Sequence, residues 1–329
     1  MKRFSIILIV TLIFMTFILP LYAQEKLLGE GMVIYCQMGG AEGAVATIQR
    51  TLGAREAAKA LGVKLIEQYS QWQPEKMVQQ FKEAIAAQPD GIVIMGHPGS
   101  AAMWDLVREA DSKGIIVTVN NTPLPDIQEE FLAKGFGYAG VDLFAGGYLT
   151  GQAMVKAGLK PGDKAIVYGL FSQPFRGQSE EGMARALEDA GIIVDRQEIS
   201  PEADADASTA IPILTGYFQA HPDCKAIGTQ HGAITGILVN LLRDNLKKKP
   251  GEIISAGIDL SPATIEGLKT GYISAVLDQQ LYLQGFIPIV QIVLTKKYKI
   301  TGFNINTGAG TVTPETIGEL EELITAGYR

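Results

Sequence analysis

Residues 256–294 read AGIDLSPATIEGLKTGYISAVLDQQLYLQGFIPIVQIVL, and this stretch decides the fold of the chain. A short apolar strand is predicted over Ile253–Ile258, and a second one is predicted over Ile273–Leu277. A helical segment with its own capping signals lies between them, so the two strands are expected to run parallel. Strand, helix and parallel strand in this order are typical of an open α/β sheet.

The helix between these strands has clear sequence signals at both ends. Ser261 is a suitable N-cap because its hydroxyl can accept a hydrogen bond from the first turn, and Pro262 fits the first helical position. Lys269 and Gly271 suit the C-terminal end, where a cation is favoured and glycine can adopt a left-handed conformation.

Both strands of this stretch end in carboxylate or amide side chains. Asp259 follows the first strand, and Asp278, Gln279 and Gln280 follow the second. In an open α/β sheet, ligands bind just beyond the carboxyl ends of the strands. The sequence therefore predicts a pocket for a polar, uncharged molecule with many hydroxyl groups.

The rest of the chain continues the alternation of strands and helices in two tandem arrays of similar length. The strands are continuous runs of Val and Ile, which is typical of a parallel sheet covered on both faces. A polar connection over residues 121–126 separates the arrays. The other predicted strands are Gly31–Gln37, Val63–Gln68, Gly91–Met95, Ile115–Val119, Lys164–Leu170, Ile192–Ile199 and Ala226–Thr229.

The last part of the chain does not begin a third domain. Residues 280–297 form a strongly apolar predicted helix, and Pro288 inside it is expected to kink the helix or break its hydrogen-bond ladder. Such an apolar helix must pack on an existing sheet, so we expect the chain to return to the first lobe. A short strand over residues 300–306 and a helix over 313–326 would follow, which gives three connections between the lobes.

Length and charge exclude some classes of function. The chain has 329 residues and a net charge of −7, and its longest basic run is Lys247–Lys249. This length is enough for two domains. The negative net charge and the short basic run do not predict the basic surface that nucleic-acid binding requires. Nucleic acid is therefore not an expected partner.

The N-terminus predicts a secretory signal peptide over residues 1–23. Lys2 and Arg3 form a basic start, an apolar run follows to Leu19, and the small residue Ala23 marks the expected cleavage site. The alternative is a membrane anchor, although the apolar run is shorter than the ~20 residues of a typical span. We expect cleavage after Ala23 and a periplasmic or other extracytoplasmic location.

The two cysteines are far apart in the chain. Cys36 lies in the first predicted strand, and Cys224 lies just before the strand that begins at Ala226. A disulfide is one reading, but two buried or half-buried thiols in separate lobes fit better. The stability of this exported protein is then expected to come from its cores.

A set of polar and aromatic side chains recurs near the predicted strand ends. Each one alone could be a helix cap or a turn former, but Gln, His and Arg are poor N-caps. We therefore expect at least half of the set to line one cleft, where flat aromatic and planar polar groups suit a sugar. The candidates are Gln37, Glu42, Trp72, His97, Asn120, Asn121, Phe175, Arg176, His231, Asp259 and Gln279.

No motif predicts catalysis, a cofactor or a metal site. The chain has no nucleophile elbow, no phosphate-binding loop and no zinc-protease motif. The histidines His97, His221 and His231 are not spaced as metal ligands on one element, and His221 fits a helix C-cap. We therefore predict a binding protein rather than an enzyme.

From about Gly31 onward the chain resembles the periplasmic sugar-binding proteins of the ribose/galactose type, which are the solute receptors of ABC importers. The resemblance implies two Rossmann-like doubly wound parallel-sheet lobes joined by a three-crossing hinge. It implies an N-terminal lobe of residues 27–141 plus 280–306 and a C-terminal lobe of 142–279 plus 307–329. The matching segments are Gly53–Gly62, Gln88–Ile94, Ala220–Asp223, Ala256–Asp259, Asp278–Gly285 and Val312–Glu315.

The resemblance also assigns roles to particular positions. Asp259 and Gln279 match the ligand-binding Asp and the hinge-side Gln of the family. His231 stands where many members have a ligand-binding Asn, and Asn120 and Asn121 stand where ribose binders have Asp and Arg. The positions at the hinge crossings are Asp142 and Gln280.

Two features depart from the family pattern. Residues 44–47 (Ala-Val-Ala-Thr) replace the aromatic pair that usually follows the first strand, and the Arg after the fourth strand is missing. An aromatic wall for the sugar is then expected at Trp72 or Phe175.

The expected function is that of an importer receptor for a monosaccharide, which is a hexose, a pentose or a related polyol. The expected partners are the sugar and the membrane permease subunits of the importer, with a chemoreceptor as a further candidate and the protein itself as a monomer. One alternative ligand is a furanosyl signalling molecule of the autoinducer-2 kind. A second alternative is a periplasmic enzyme that uses Asp259 or His231 as an acid or base.

Overall fold

The computed structural model describes residues 26–173, 175–308 and 310–329, except for the side chain of Val45. The predicted signal peptide lies outside the described residues. Strands and helices alternate along the chain. The strands are β1 Val33–Gly39, β2 Lys64–Tyr69, β3 Gly91–Met95, β4 Ile116–Asn120, β5 Tyr138–Gly140, β6 Lys164–Gly169, β7 Ile193–Glu198, β8 Cys224–Gly228, β9 Ile254–Ile258, β10 Ala275–Asp278, β11 Asn304–Asn306 and β12 Gly310–Val312.

The helices lie between the strands along most of the chain. Single turns of 3₁₀-helix and one π-helical segment, Asn240–Asn245, complete the connections. The α-helices are α1 Val45–Leu61, α2 Pro74–Ala86, α3 Ser100–Ser112, α4 Pro125–Phe131, α5 Leu143–Lys156, α6 Gln178–Asp189, α7 Pro201–Ala205, α8 Ala210–Ala220, α9 Gly232–Val239, α10 Pro262–Thr270, α11 Leu281–Tyr298 and α12 Glu321–Thr325.

The strands form two sheets of identical internal order. The first sheet runs β11-β5-β4-β3-β1-β2 and the second runs β12-β10-β9-β8-β6-β7. All pairings between these strands are parallel except that of β12 with β10, which is antiparallel. Five consecutive strands in each sheet therefore have the doubly wound order 2-1-3-4-5. The predicted α/β fold with two Rossmann-like lobes is confirmed.

Each lobe has buried apolar layers on both faces of its sheet. In the first sheet every residue of β3 is buried, and Val93 packs in one layer while Ile92 packs in another. In the second sheet Ile166 and Val167 likewise enter two different clusters. Among the described residues, no helix combines the length and apolar character needed to cross a membrane.

The chain passes between the two sheets three times. It leaves the first sheet after Gly140, returns after Asp278, and leaves again between Asn306 and Gly310. The crossings are bonded to one another, because the Asn306 side chain accepts from the backbone N–H of Asp142 at 3.2 Å. Three connections between the lobes were predicted from the apolar helix that follows β10.

Each lobe has two helices whose backbones touch at glycines. In the first lobe, a Cβ on Gly285 of α11 would overlap the carbonyl oxygen of Arg50 on α1, and one on Gly53 would overlap that of Tyr282. In the second lobe, a Cβ on Gly147 of α5 would overlap the carbonyl oxygen of Ser179 on α6. No repeat is visible in the sequence, but both lobes use the same close crossing. In each lobe this contact between two helices anchors the helix that directly follows a connection between the lobes.

α11 is continuous through Pro288, and of the two predicted effects the structure shows the break in the hydrogen-bond ladder. Proline has no N–H, so the carbonyl oxygen of Gln284, four residues earlier, loses its helical partner. The Asn120 side chain donates to this oxygen at 3.3 Å in a buried position. A side chain of β4 thus replaces the missing N–H donor, and α11 stays continuous.

Other differences lie mainly at the ends of the chain's elements. The connection predicted over residues 121–126 ends in α4, and the strand predicted over 300–306 is limited to β11. The helix predicted over 313–326 is reduced to a 3₁₀ turn, Ile317–Glu319, and α12. By contrast, Ser261 forms a capping box with Thr264, and Gly271 ends α10 in a left-handed conformation, as the capping signals predicted.

The close contact of α11 with α1 at Gly285 leads to a prediction about stability. Gly285→Ala should lower the free energy of unfolding by about 1–3 kcal/mol, because the new methyl group forces the two helix backbones apart. Gly216→Ala is the matched control, since a Cβ there meets no atom within 4 Å and removes the glycine penalty in α8. Urea unfolding of both variants checks this. Equal stability of the Gly285 variant and wild type would contradict the role of the crossing.

The bond between Asn120 and Gln284 predicts an energetic coupling with Pro288. Asn120→Ala should lower the free energy of unfolding by about 1–3 kcal/mol because a buried carbonyl loses its donor. In a Pro288→Ala background, which restores the helical N–H, the same change should cost at least about 0.5 kcal/mol less. A double-mutant cycle in urea measures the coupling, and additive effects would refute it.

Candidate functional site

A cavity of about 470 Å³ lies between the two lobes, at the carboxyl ends of both sheets. The first lobe contributes residues that follow β1 to β4, and the second contributes Leu143 and residues that end or follow β6 to β10. This is the edge where ligands bind in doubly wound sheets. Of the eleven predicted site residues, seven line this cavity, namely Trp72, His97, Asn121, Arg176, His231, Asp259 and Gln279.

The other four predicted residues do not line the cavity. Gln37 is fully buried, where its side chain donates to Met77 O at 2.8 Å and accepts from Met95 N at 3.0 Å. The Asn120 side chain donates to the carbonyl oxygen of Gln284. Glu42 is exposed in the loop before α1, and Phe175 packs against the core of the first lobe.

Asp259 has one oxygen bound and one directed to the cavity. Its Oδ1 accepts from Gln279 Nε2 at 2.7 Å, and its Oδ2 has no hydrogen-bond partner among the described residues. Gly232 makes room for this carboxylate, because a Cβ there would overlap Oδ2. Burial raises the pKa of Asp259, against the hydrogen bond from Gln279 and the positive charge of Arg50.

Arg50 is a cavity residue that the sequence analysis missed. It is fully buried, and its guanidinium donates to Met38 O at 2.7 Å and to Gln284 Oε1 at 3.3 Å. Its Nε has no partner among the described residues. Burial lowers the pKa of Arg50 to about 10, so it remains charged at neutral pH. The signal that could have identified Arg50 is its spacing, because it lies on the same stripe of α1 as Ala54 and Ala57, which are fully buried.

Trp72 and His97 form an aromatic wall. Their ring centroids are 5.6 Å apart with a tilt of 37°, and the Arg50 guanidinium lies 5.8 Å from the Trp72 ring centroid. Burial, with the charges of Arg176 and Arg50, lowers the pKa of His97 to about 3. The imidazole is therefore neutral at neutral pH. Of the two aromatic residues predicted for a wall, Trp72 faces the cavity and Phe175 does not.

His231 is held in one tautomer by its neighbours. Its Nδ1 accepts from Ile234 N at 3.4 Å at the start of α9, so Nε2 carries the proton and donates to Asp204 at 2.8 Å. Burial acts to raise the pKa of Asp204, but the hydrogen bond from His231 and the charge of Arg176 hold it below its ordinary value. Asp204 was missed because α7 was not predicted. Ser200 and Pro201, an N-cap and a first helical residue, were the signal.

Gln230 lines the cavity, and its amide is held by a neighbouring hydroxyl group. Ser179 Oγ donates to Gln230 Oε1 at 2.9 Å, which fixes the orientation of the amide. Gln230 Nε2 is buried and has no partner in the part of the chain that is described. Since Gln230 directly precedes His231 after β8, the same strand-end signal identifies both.

The charges around the cavity balance. Two guanidinium groups, of Arg50 and Arg176, face two carboxylates, of Asp204 and Asp259. Within the described ranges, no cluster of three or more His, Cys, Asp or Glu side chains could hold a metal ion. The site is therefore suited to a neutral ligand that both donates and accepts hydrogen bonds.

The two lobes touch beside the cavity. Gln49 on α1 donates to the carbonyl oxygen of Leu260, which follows β9, at 3.1 Å in a buried position. This bond joins residues 211 positions apart and brings the start of α1 against the loop before α10. The cavity is thus bounded by both lobes at once.

The predicted hinge residues lie at the crossings. Asp142 caps α5 by accepting from Ala145 N at 3.1 Å. Gln280 has a left-handed backbone with φ of 48°, and its N–H donates to Asp278 at 2.9 Å. The other oxygen of Asp278 accepts from Arg329 Nε at 2.9 Å, which ties the end of the described chain to the second crossing.

Comparison with known proteins agrees with this architecture. The chain is 27% identical over 257 residues to the xylose/arabinose-binding protein of Sulfolobus acidocaldarius, a match that covers 73% of this chain and 61% of that relative. The chain thus matches about three-fifths of the length of that relative.

Solved structures share the fold. A solute-binding protein of an ABC transporter from Burkholderia graminis, in complex with D-arabinose, has a TM-score of 0.77 at 22% identity and covers 88% of this chain and 97% of its own. A carbohydrate transporter from Acidothermus cellulolyticus, in complex with myo-inositol, has a TM-score of 0.76 at 18% identity. The match covers 91% of this chain and 99% of that transporter.

A family model described as a periplasmic binding protein domain matches residues 33–297, which is most of the chain. This range contains both sheets except their last strands, the first two crossings between the lobes, and every residue named above as lining the cavity. The chain belongs to the family of proteins with a periplasmic binding protein domain.

Proposed function

We propose that this protein is the extracytoplasmic receptor of an ABC importer and binds a monosaccharide between its two lobes. The observation that carries the proposal is the set of polar side chains around the cavity. Asp259 Oδ2 is an acceptor without a partner among the described residues, and the Gln230 and Arg50 side chains line the same cavity as the Trp72 wall. A sugar ring offers hydroxyl groups at its rim and C–H groups on its faces, and it matches both features.

The relatives support a neutral, hydroxyl-rich ligand. One is named for xylose and arabinose, and the two structures hold D-arabinose and myo-inositol. The balanced charges of the cavity agree with such ligands, since an ionic ligand would add one charge without a counterion. The monosaccharide class therefore comprises pentoses, hexoses and polyols, with a furanosyl signalling molecule as a further ligand to test.

Ligand binding is expected to stabilise the closed arrangement of the lobes. A ligand that touches Trp72 on one lobe and Asp259 on the other has its full set of contacts only when the lobes are together. In this proposal the lobes are residues 27–141 plus 280–306 and residues 142–279 plus 307–329. Asp142 and Gln280 then belong to the hinge, and permease subunits are the partners of the closed form.

An enzymatic role for His231 finds no support in the geometry. A general base needs a free ring nitrogen, but Nδ1 accepts from Ile234 and Nε2 donates to Asp204. Asp259 has an oxygen without a partner among the described residues, but Asp204, the other carboxylate of the cavity, is paired with His231. The proposal is therefore binding without turnover.

The Asp259 carboxylate predicts the effect of a substitution on affinity. Asp259→Ala should weaken sugar binding by about 2 kcal/mol or more, roughly thirtyfold, because a charge-assisted hydrogen bond is lost. Calorimetry with D-xylose, L-arabinose, D-glucose, D-galactose and myo-inositol measures the change. Asp105→Ala, at an exposed position on α3, is the control and should bind like wild type. Unchanged affinity in the Asp259 variant would refute the site.

The raised pKa of Asp259 predicts a pH dependence. A sugar hydroxyl donates to the ionised carboxylate, so the ligand favours the charged form and lowers the pKa of Asp259 on binding. Affinity should therefore fall as the pH falls through the pKa of the free protein. Arg50 stays charged and His97 stays neutral, with pKa values of about 10 and about 3.

Calorimetry from about pH 7 down to about pH 5 measures this loss of affinity. The control is Asp259→Asn, which keeps the shape of the side chain but cannot titrate. It should show a lower affinity that changes little with pH. An equal loss in wild type and in Asp259→Asn would assign the titration to another group and contradict the prediction.

A further inference from the structure

The cavity is larger than one sugar ring requires. Its volume of about 470 Å³ would hold roughly fifteen water molecules at about 30 Å³ each. A pyranose displaces fewer than half of them. The polar groups gather at the buried end, where Arg50, His97, His231, Asp259 and Gln279 are each at most 9% exposed. Part of the volume therefore lies outside the polar groups.

Five of the other lining residues are small and lie toward solvent. Ala44 and Ala46 stand at the start of α1, Ala233 and Gly236 on α9, and Ala263 on α10, and all five are partly or fully exposed. We call these five residues the mouth. The bond from Gln49 to Leu260 brings α1 against the loop before α10, and α10 packs on α9. The five therefore surround one opening.

Gly236 shows that the mouth holds free space. It lies inside a helix, where glycine is less stable than alanine. Yet a Cβ on Gly236 would meet no atom within 4 Å, so no neighbour in the described chain requires a glycine. Gly232, one turn earlier, is different because a Cβ there would overlap Asp259. Gly236 lines the cavity and is partly exposed to solvent, so the space beside it is open.

From this arrangement we propose that the receptor accepts a glycoside or a short oligosaccharide. The terminal sugar binds at the polar end, beside Asp259 and Arg50, and the substituent leaves through the mouth. Residues with no side chain beyond a methyl group let the lobes close around such a substituent. This inference rests on the proposed sugar-binding function.

The first test compares free sugars with their glycosides by calorimetry on the wild-type protein. D-Xylose, L-arabinose, D-glucose and D-galactose are each measured as the free sugar and as both anomers of the p-nitrophenyl glycoside. For the sugar that binds tightest, at least one anomer of the glycoside should bind within about tenfold of the free sugar. If every glycoside of a bound sugar loses more than about tenfold, the inference is overturned and the proposed function stands. If no sugar or glycoside binds, the proposed function itself fails.

The second test fills the mouth. Gly236→Leu should reduce the affinity for the glycoside at least about tenfold more than the affinity for the free sugar, because leucine occupies the path of the substituent. Gly216→Leu is the matched control, since Gly216 is also helical, meets no atom within 4 Å of a Cβ and lies away from the cavity. It should leave the affinity ratio unchanged.

Thermal unfolding of both variants verifies that they fold, and leucine on either helix is expected to raise the melting temperature. Ala233→Trp, at an exposed position of the mouth, is the second variant and should shift the affinity ratio in the same direction. An equal loss of free sugar and glycoside in both mouth variants would overturn the inference.

Discussion

Close contact between helix backbones is the constraint on which both the fold and the site depend. In the first lobe, Gly53 and Gly285 let α11 rest directly on α1, and this contact brings Gln284 within 3.3 Å of the buried guanidinium of Arg50. In the second lobe, Gly147 lets α5 rest on the backbone of Ser179, whose hydroxyl orients the amide of Gln230. Each lobe therefore positions a polar side chain of the cavity through the same kind of helix contact.

The buried polar network explains why a cavity with four charged groups is compatible with a neutral ligand. Asp204 is paired with His231, and Asp259 is held by Gln279 and lies in the field of Arg50. The protein thus satisfies most of its own charges and leaves individual atoms, rather than whole charges, for the ligand. Selectivity among neutral ligands then depends on where the hydroxyl groups lie, since a buried donor left unpaired is costly.

The sequence predicted the parts of the fold that follow from local chemistry. Apolar runs located the strands, and Ser261, Pro262 and Gly271 fixed the ends of α10 because capping depends on neighbours within one turn. The continuity of α11 was not predictable in this way, since the donor that replaces the missing N–H of Pro288 is Asn120, on a distant strand.

The same division applies to the site. Seven of the eleven candidates line the cavity because strand ends converge at one edge of a parallel sheet. Gln37 and Asn120 also lie near strand ends. Their amides instead donate hydrogen bonds to backbone carbonyl groups that come near only in the folded chain. Arg50 was missed because a charge on a core-facing stripe has meaning only once its distant partners are known.

The two thiols give each lobe its own chemical reporter. Cys36 lies in β1 of the first sheet and Cys224 in β8 of the second, and both are buried and free. Burial raises the pKa of the Cys36 thiol to about 12 and also raises the pKa of Cys224. A thiol reagent reacts with the exposed thiolate, so each cysteine is protected until its own sheet opens. The unaltered protein can therefore be labelled over time to learn which lobe loosens first, and whether a bound ligand protects both lobes equally.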